Sequence, residues 1–110
     1  MDECRERRAR LDAACRESGR DPATLTFSIV TRCIVGEDRS EVGERLRRVQ
    51  ALDGSFAPAE SWLVGTVDEL ATQLAALEDT GVGHVVLHHL DHRDLAMIEL
   101  IGRDLVPAVR

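Results

Sequence analysis

Apolar positions along this 110-residue chain recur with two different periods, and the changes of period mark out its elements. Over residues 3 to 18, Cys4, Arg8, Leu11, Cys15 and Ser18 share one helical face, and Ala9, Ala13 and Ala14 favour a helix. Gly19 stands where a helix C-cap calls for positive φ, and Asp21 before Pro22 resists the α region, so "GRDPATLT" turns the chain. "LTFSIVTRCIV", 25 to 35, is rich in β-branched residues and predicts a strand that Gly36 ends. Helical spacing returns with Val42, Leu46, Val49 and Leu52 over 37 to 52. Residues 53 to 64, with Gly54 and Pro58, predict an irregular loop whose end, Trp62 and Leu63, tucks onto the body.

The second half is better punctuated. In "GTVDELATQLAALEDTG", Thr66 with Glu69 three residues on forms a capping box, and Asp68 adds negative charge to the positive first turn. Leu70, Leu74 and Leu77 make the buried stripe, and Gly81 closes the helix. "HVVLHHL", 84 to 90, predicts a second strand. A last helix follows, with Asp91 as N-cap, Leu95, Ile98, Ile101 and Leu105 turned inward, and Pro107 at its end. Strands separated by helices imply parallel pairing with right-handed crossovers, hence an α/β fold in one domain. Both strands read as apolar runs covered on both faces. Two such strands leave two open edges, so the pattern calls for more strands than the chain supplies.

Composition narrows the function classes. Twenty acidic residues against 14 basic ones, all arginine, give a net charge of -6. That excludes the basic face of a nucleic-acid module. Arg5, Arg7, Arg8 and Arg10 interleave with Asp2, Glu3, Glu6 and Asp12, the pattern of a salt-bridged solvated helix. Aromatic residues are limited to Phe27, Phe56 and Trp62, too few for a stacking platform. No apolar run reaches the roughly 18 residues of a membrane span. Cys4, Cys15 and Cys33 form no C-x-x-C pair. Cys4 and Cys15, eleven residues apart on a helix, lie about 16 Å apart, beyond disulfide reach. A reducing cytoplasm is the expected location.

The order and spacing of "GRDP" (Gly19 to Pro22), Val35 with Gly36, "VGTVDEL" (Val64 to Leu70), "TGVGHVVL" (Thr80 to Leu87) and "LVP" (Leu105 to Pro107) resemble the C-terminal end of the luciferase-like monooxygenase family. The family pattern places proline where Val67 stands. The resemblance implies a fragment of a (β/α)8 TIM-type barrel, residues 1–110 forming a single partial domain. A complete member is roughly three times as long, and its earlier strands carry most of the flavin-binding loops. The implied function is the C-terminal part of a flavin- or deazaflavin-dependent oxidoreductase or monooxygenase, inactive alone. FMN or a deazaflavin of the F420 type would serve the full-length enzyme, with a small-molecule substrate, and would not be bound by this chain by itself. The alternative is a non-catalytic α/β protein that pairs through its sheet edges, either as a homo-oligomer or with a partial-barrel partner.

Four histidines fall within nine residues, "HVVLHHLDH", 84 to 92. Alternation puts His84, Val86, His88 and Leu90 on one side of the strand and Val85, Leu87, His89 and Asp91 on the other. In a barrel the C-terminal strand end carries the chemistry, which makes His88, His89 and His92 substrate- or cofactor-adjacent candidates. The competing reading leaves His84 and His92 as surface residues and packs His89 under a helix. His88 and His92 have ligand spacing only on a helix, and the segment is leaving a strand there, so no metal is expected. Gly65 and Thr66 start a helix whose free N–H groups could hold phosphate, but Asp68 and Glu69 already sit in that field. Cys33, mid-strand, reads as a small core residue.

Overall fold

A computed structural model describes residues 2–52 and 62–109. The elements run α1 (Asp2–Glu17), β1 (Ser28–Gly36), α2 (Arg39–Leu52), β2 (Leu63–Thr66), α3 (Val67–Asp79), β3 (His84–His89) and α4 (Leu95–Leu100). A π-helical turn (Ile101–Leu105) and a short α5 (Val106–Ala108) complete the last helix. The fold is α/β, with three parallel strands in the order β2-β1-β3. Cys33 to Gly36 pair with Leu63 to Thr66 on one side of β1, and Ser28 to Cys33 pair with His84 to His89 on the other.

The two expected strands are therefore adjacent and parallel, but they are joined by a third. β2 has only four residues and runs straight into the capping box of α3, so no period-2 pattern announces it. Leu63 and Val64 belong to this strand rather than to a loop; the rest of the expected loop, apart from Trp62, lies outside the described residues.

The helices are set by local chemistry. Gly19 and Gly81 take positive φ after α1 and α3, at +76° and +100°. Asp21 caps a short 3-10 turn at Pro22–Thr24 by accepting from the Ala23 amide. At α3, Thr66 Oγ1 accepts from the Glu69 amide at 3.4 Å, and Glu69 Oε1 accepts from the Thr66 amide at 3.5 Å, so the capping box is closed. Along α1, Arg7 pairs with Glu3 at 2.5 Å and Arg10 with Glu6 at 2.9 Å, both exposed.

The last helix differs from its expectation. Its N-cap is Asp94, which accepts from the Met97 amide at 3.1 Å. Asp91 instead accepts from the Arg93 amide in the preceding turn. Leu95 and Ile98 are exposed, while Met97, Leu100 and Leu105 are buried. The segment carries apolar residues on two sides, and the later cap selects which stripe turns inward. Pro107 lies inside the helical segment, not beyond it. A proline ring clashes with the carbonyl four residues back, and the wide turn just before it is the usual relief.

Side chains of the sheet separate into two faces. Cys33 and Val35 of β1 and Leu63 of β2 enter the main core with Leu70, Leu77, Met97, Leu100 and Leu105, and Ile29, Val85 and Leu87 pack against it. Cys4 and Leu11 bring α1 onto the same face. On the opposite face Ile34 packs with Val42 and Val49 of α2, joined by Leu46, Trp62, Val64 and Leu90. That cover reaches only the C-terminal end. Along the rest of this face Ser28, Val30, His84, Val86 and His88 are exposed, so β3 alternates between a covered and an uncovered face.

Candidate functional site

The candidate histidines part company at the end of β3, as the alternation requires. His88 stands on the uncovered face, opposite Arg32 in the β1–β3 register. Next to this pair, Val30 faces Val86, and the two are 71% and 44% exposed. His84 is exposed at the strand start, and His92 is exposed in the turn after the strand. The Arg32 guanidinium lies 5.4 Å from the centre of the Trp62 ring, at the edge of the cover that α2 provides.

His89 points the other way, opposite Cys33 in register. It lines a cavity of about 10 Å³ with Cys33, Arg45, Asp91, Asp94 and Met97. Both its ring nitrogens are buried and meet no hydrogen-bonding group of the described residues. Burial lowers its pKa, and His92 and His88 add to the effect; Asp94 and Asp91 pull against it. Cys33 is fully buried, and desolvation pushes its thiol up to about 11. A thiol held protonated in this way is a packing group, not a nucleophile.

Beside this cavity lies a polar cluster. Arg45 Nε donates to Asp94 Oδ2 at 2.7 Å, and Arg45 also donates to the Val35 carbonyl at 2.8 Å and to the Glu41 carboxylate. Both partners are buried, at 7% and 8% exposure. Burial alone would raise the Asp94 carboxyl, but its bonds from Arg45 and the Met97 amide, with the charges of Arg45 and Arg48, hold it below the usual carboxylate range. The sequence carried a signal for this pair. Arg45 falls between Val42 and Val49 on the buried stripe of α2, where an arginine requires a partner. Only the fold shows that the partner is Asp94.

Gly65 and Thr66 stand at the N-terminus of α3, with Glu69 folded over them. A Cβ at Gly65 would meet the Glu69 side chain at 3.0 to 3.3 Å. Arg39 reaches the same carboxylate at 3.3 Å. An anion approaching these amides would meet a carboxylate already bonded to them. Among the described residues, no group of three or more His, Cys, Asp or Glu side chains is placed to hold a metal ion, and no helix is long and apolar enough to cross a membrane.

No family model matches the chain. Half of the chain, in an alignment 66 positions long, is 33% identical to the DNA mismatch repair protein MutS of Desulfatibacillum aliphaticivorans, and the match covers only 7% of that protein. The structure is similar to that of an F420-dependent secondary alcohol dehydrogenase solved in complex with an F420-acetone adduct. The TM-score is 0.64 at 17% identity, over 90% of this chain and 37% of the enzyme. At that identity the likeness is one of fold, and the chain spans little more than a third of the enzyme's length.

Proposed function

We propose that this chain is the C-terminal part of a luciferase-like oxidoreductase that uses a deazaflavin or flavin, and that it is inactive by itself. The observation that carries this reading is the shared fold. Nine-tenths of the chain follows one part of an F420-dependent alcohol dehydrogenase, and the sequence motifs that suggest the family run along the same length. The uncovered sheet face supports it. Val30 and Val86 stand where further parallel strands of a barrel would enclose them, and His88 would then line the interior near the C-terminal rim.

The described residues do not fit a bound deazaflavin by themselves. The Val30–Val86 face is covered only at one end, by α2, and Glu69 fills the N-terminus of α3. Ligand sites bury most of their ligand, and this surface is open. No chemical step is therefore assigned to this chain. Its part is to supply a wall, with His88 as a polar group on the substrate side.

The test is to titrate the purified chain with reduced and oxidised F420 and FMN and to assay oxidation of a secondary alcohol. The expected result is weak or no binding and no turnover near 1 per second, an ordinary enzyme rate. Tight binding with turnover would show a complete site and overturn the reading.

A second reading has its own support in the exposed valines. The chain could be a non-catalytic α/β protein that associates through this face and the sheet edges. Monodisperse self-assembly without any effect of cofactor would favour it.

A further inference from the structure

His89 is placed where a proton has consequences. Its ring lies half-buried between the sheet and the start of α4, with both nitrogens buried and without a hydrogen-bond partner among the described residues. Desolvation of an unpaired imidazole favours its neutral form. The groups around it come from four elements. Arg45 and Arg48 lie on α2, with Glu41 engaged by Arg45; Cys33 lies on β1; His88, Asp91 and His92 flank it in β3 and the following turn; Asp94 stands at the start of α4. Of the carboxylates, Asp94 is the buried one, and each of its oxygens already accepts one bond. Oδ2 takes the Arg45 bond and Oδ1 takes the Met97 amide that starts α4.

We propose that His89 is a proton-operated latch on α4. An imidazolium needs an acceptor or water, and neither ring nitrogen has one within bonding distance among the described residues. To reach Asp94, Asp91 or solvent the ring must move, and the 90–94 turn and the start of α4 packed over it move with it. With neutral His89 the latch is closed; with the proton it opens. Burial lowers the pKa of the closed form, whereas in the opened form His89 is solvated and titrates near the ordinary value of about 6.5. The opened form therefore binds the proton better. As pH falls below about 6.5, the closed-to-open ratio drops by roughly tenfold per pH unit until the closed form also titrates. This device depends on the His89 cavity alone and holds whether or not the chain belongs to an oxidoreductase.

The experiment follows the four imidazoles of the full chain by NMR from pH 8 to 5, together with amide hydrogen exchange in α4 and α3. The expected result is that His89 titrates below the ordinary value of about 6.5. Leu95–Leu100 amides should lose up to roughly tenfold of protection per pH unit below about 6.5, with α3 unchanged, and His89→Gln should abolish that step. If His89→Gln does not fold, the wild-type data still decide by whether α4 opens alone and over the range in which His89 titrates. The proposal is overturned if His89 titrates at or above the ordinary value. It is equally overturned if α4 and α3 lose protection together, or if His89→Gln keeps the acid step.

Discussion

Arg45 and Asp94, 49 residues apart in sequence, meet inside the protein with Nε 2.7 Å from Oδ2. The bond ties the middle of α2 to the first turn of α4, and the same carboxylate caps that turn. Asp94→Ala removes the α4 cap and the buried carboxylate from Arg45, which keeps Glu41 and the Val35 carbonyl, and should cost about 3 kcal/mol. Arg45→Met should cost less, because it leaves the cap in place. The double variant should fall short of the sum by about 0.5–3 kcal/mol. Urea unfolding measures all three. Because the Asp94 pKa is depressed, its contribution is present above the unfolded value of about 3.9 and is lost as pH falls through the lower folded value. The gap between wild type and Asp94→Ala should therefore narrow in that acid range.

Gly81 and Gly19 both sit at positive φ, but only one is crowded. A Cβ at Gly81 would come within 2.8 Å of Arg8 Cγ. Arg8 cannot easily swing aside, since its guanidinium donates to the Leu25 and Pro22 carbonyls at 2.8 and 2.9 Å. Nothing lies within 4 Å of the same position at Gly19. Gly81→Ala should cost about 1–3 kcal/mol and Gly19→Ala about 1 kcal/mol. Thermal unfolding of the two variants checks the order; equal losses would mean that Arg8 moves freely.

Cys33 should be chemically silent in the native protein. A pKa near 11 instead of 9.0 lowers its thiolate fraction at pH 8 by roughly a hundredfold, and burial blocks access besides. Alkylation read by peptide mass spectrometry should label the partly exposed Cys4 first and Cys33 only on unfolding. Labelling of Cys33 as fast as Cys4 would contradict its placement.

The uncovered Val30–Val86 pair should drive association of the lone chain. Val30→Lys with Val86→Glu should shift the protein toward monomer in sedimentation at micromolar concentration. Surface changes of this kind usually alter stability by no more than about 0.5 kcal/mol. A wild-type chain that sediments as a monomer with a sharp melt would show that this face needs no cover.

What was legible in the sequence tracks how local the cause is. The α3 capping box lies within four residues, and its residues alone announce it. The opposite facings of His88 and His89 follow from period 2 once the strand is placed. The choice between Asp91 and Asp94 as cap was not legible, because the residue that decides it is Arg45, on another helix. β2 was missed for a different reason. Leu63 to Thr66 are too few to display a period, and their strand character comes from pairing with Cys33 to Gly36. His88 could be placed at a strand end, but its position opposite Arg32 comes from pairing with β1, which no local pattern announces.

The wide turn at Ile101–Leu105 works as a phase corrector. Met97, Ile101 and Leu105 recur every four residues on the core side. A strict α-helix turns about 400° over four residues, so such a stripe would creep around the barrel of the helix by about 40° per step. The Val106 amide reaches back five residues to the Ile101 carbonyl, which underwinds the helix and takes up the drift. The spare residue is therefore counted into the design of the helix. Its loss, for instance by deletion of Gly102, would rewind the turn and swing Leu105 away from Leu70 and Leu77, although no apolar side chain had been changed.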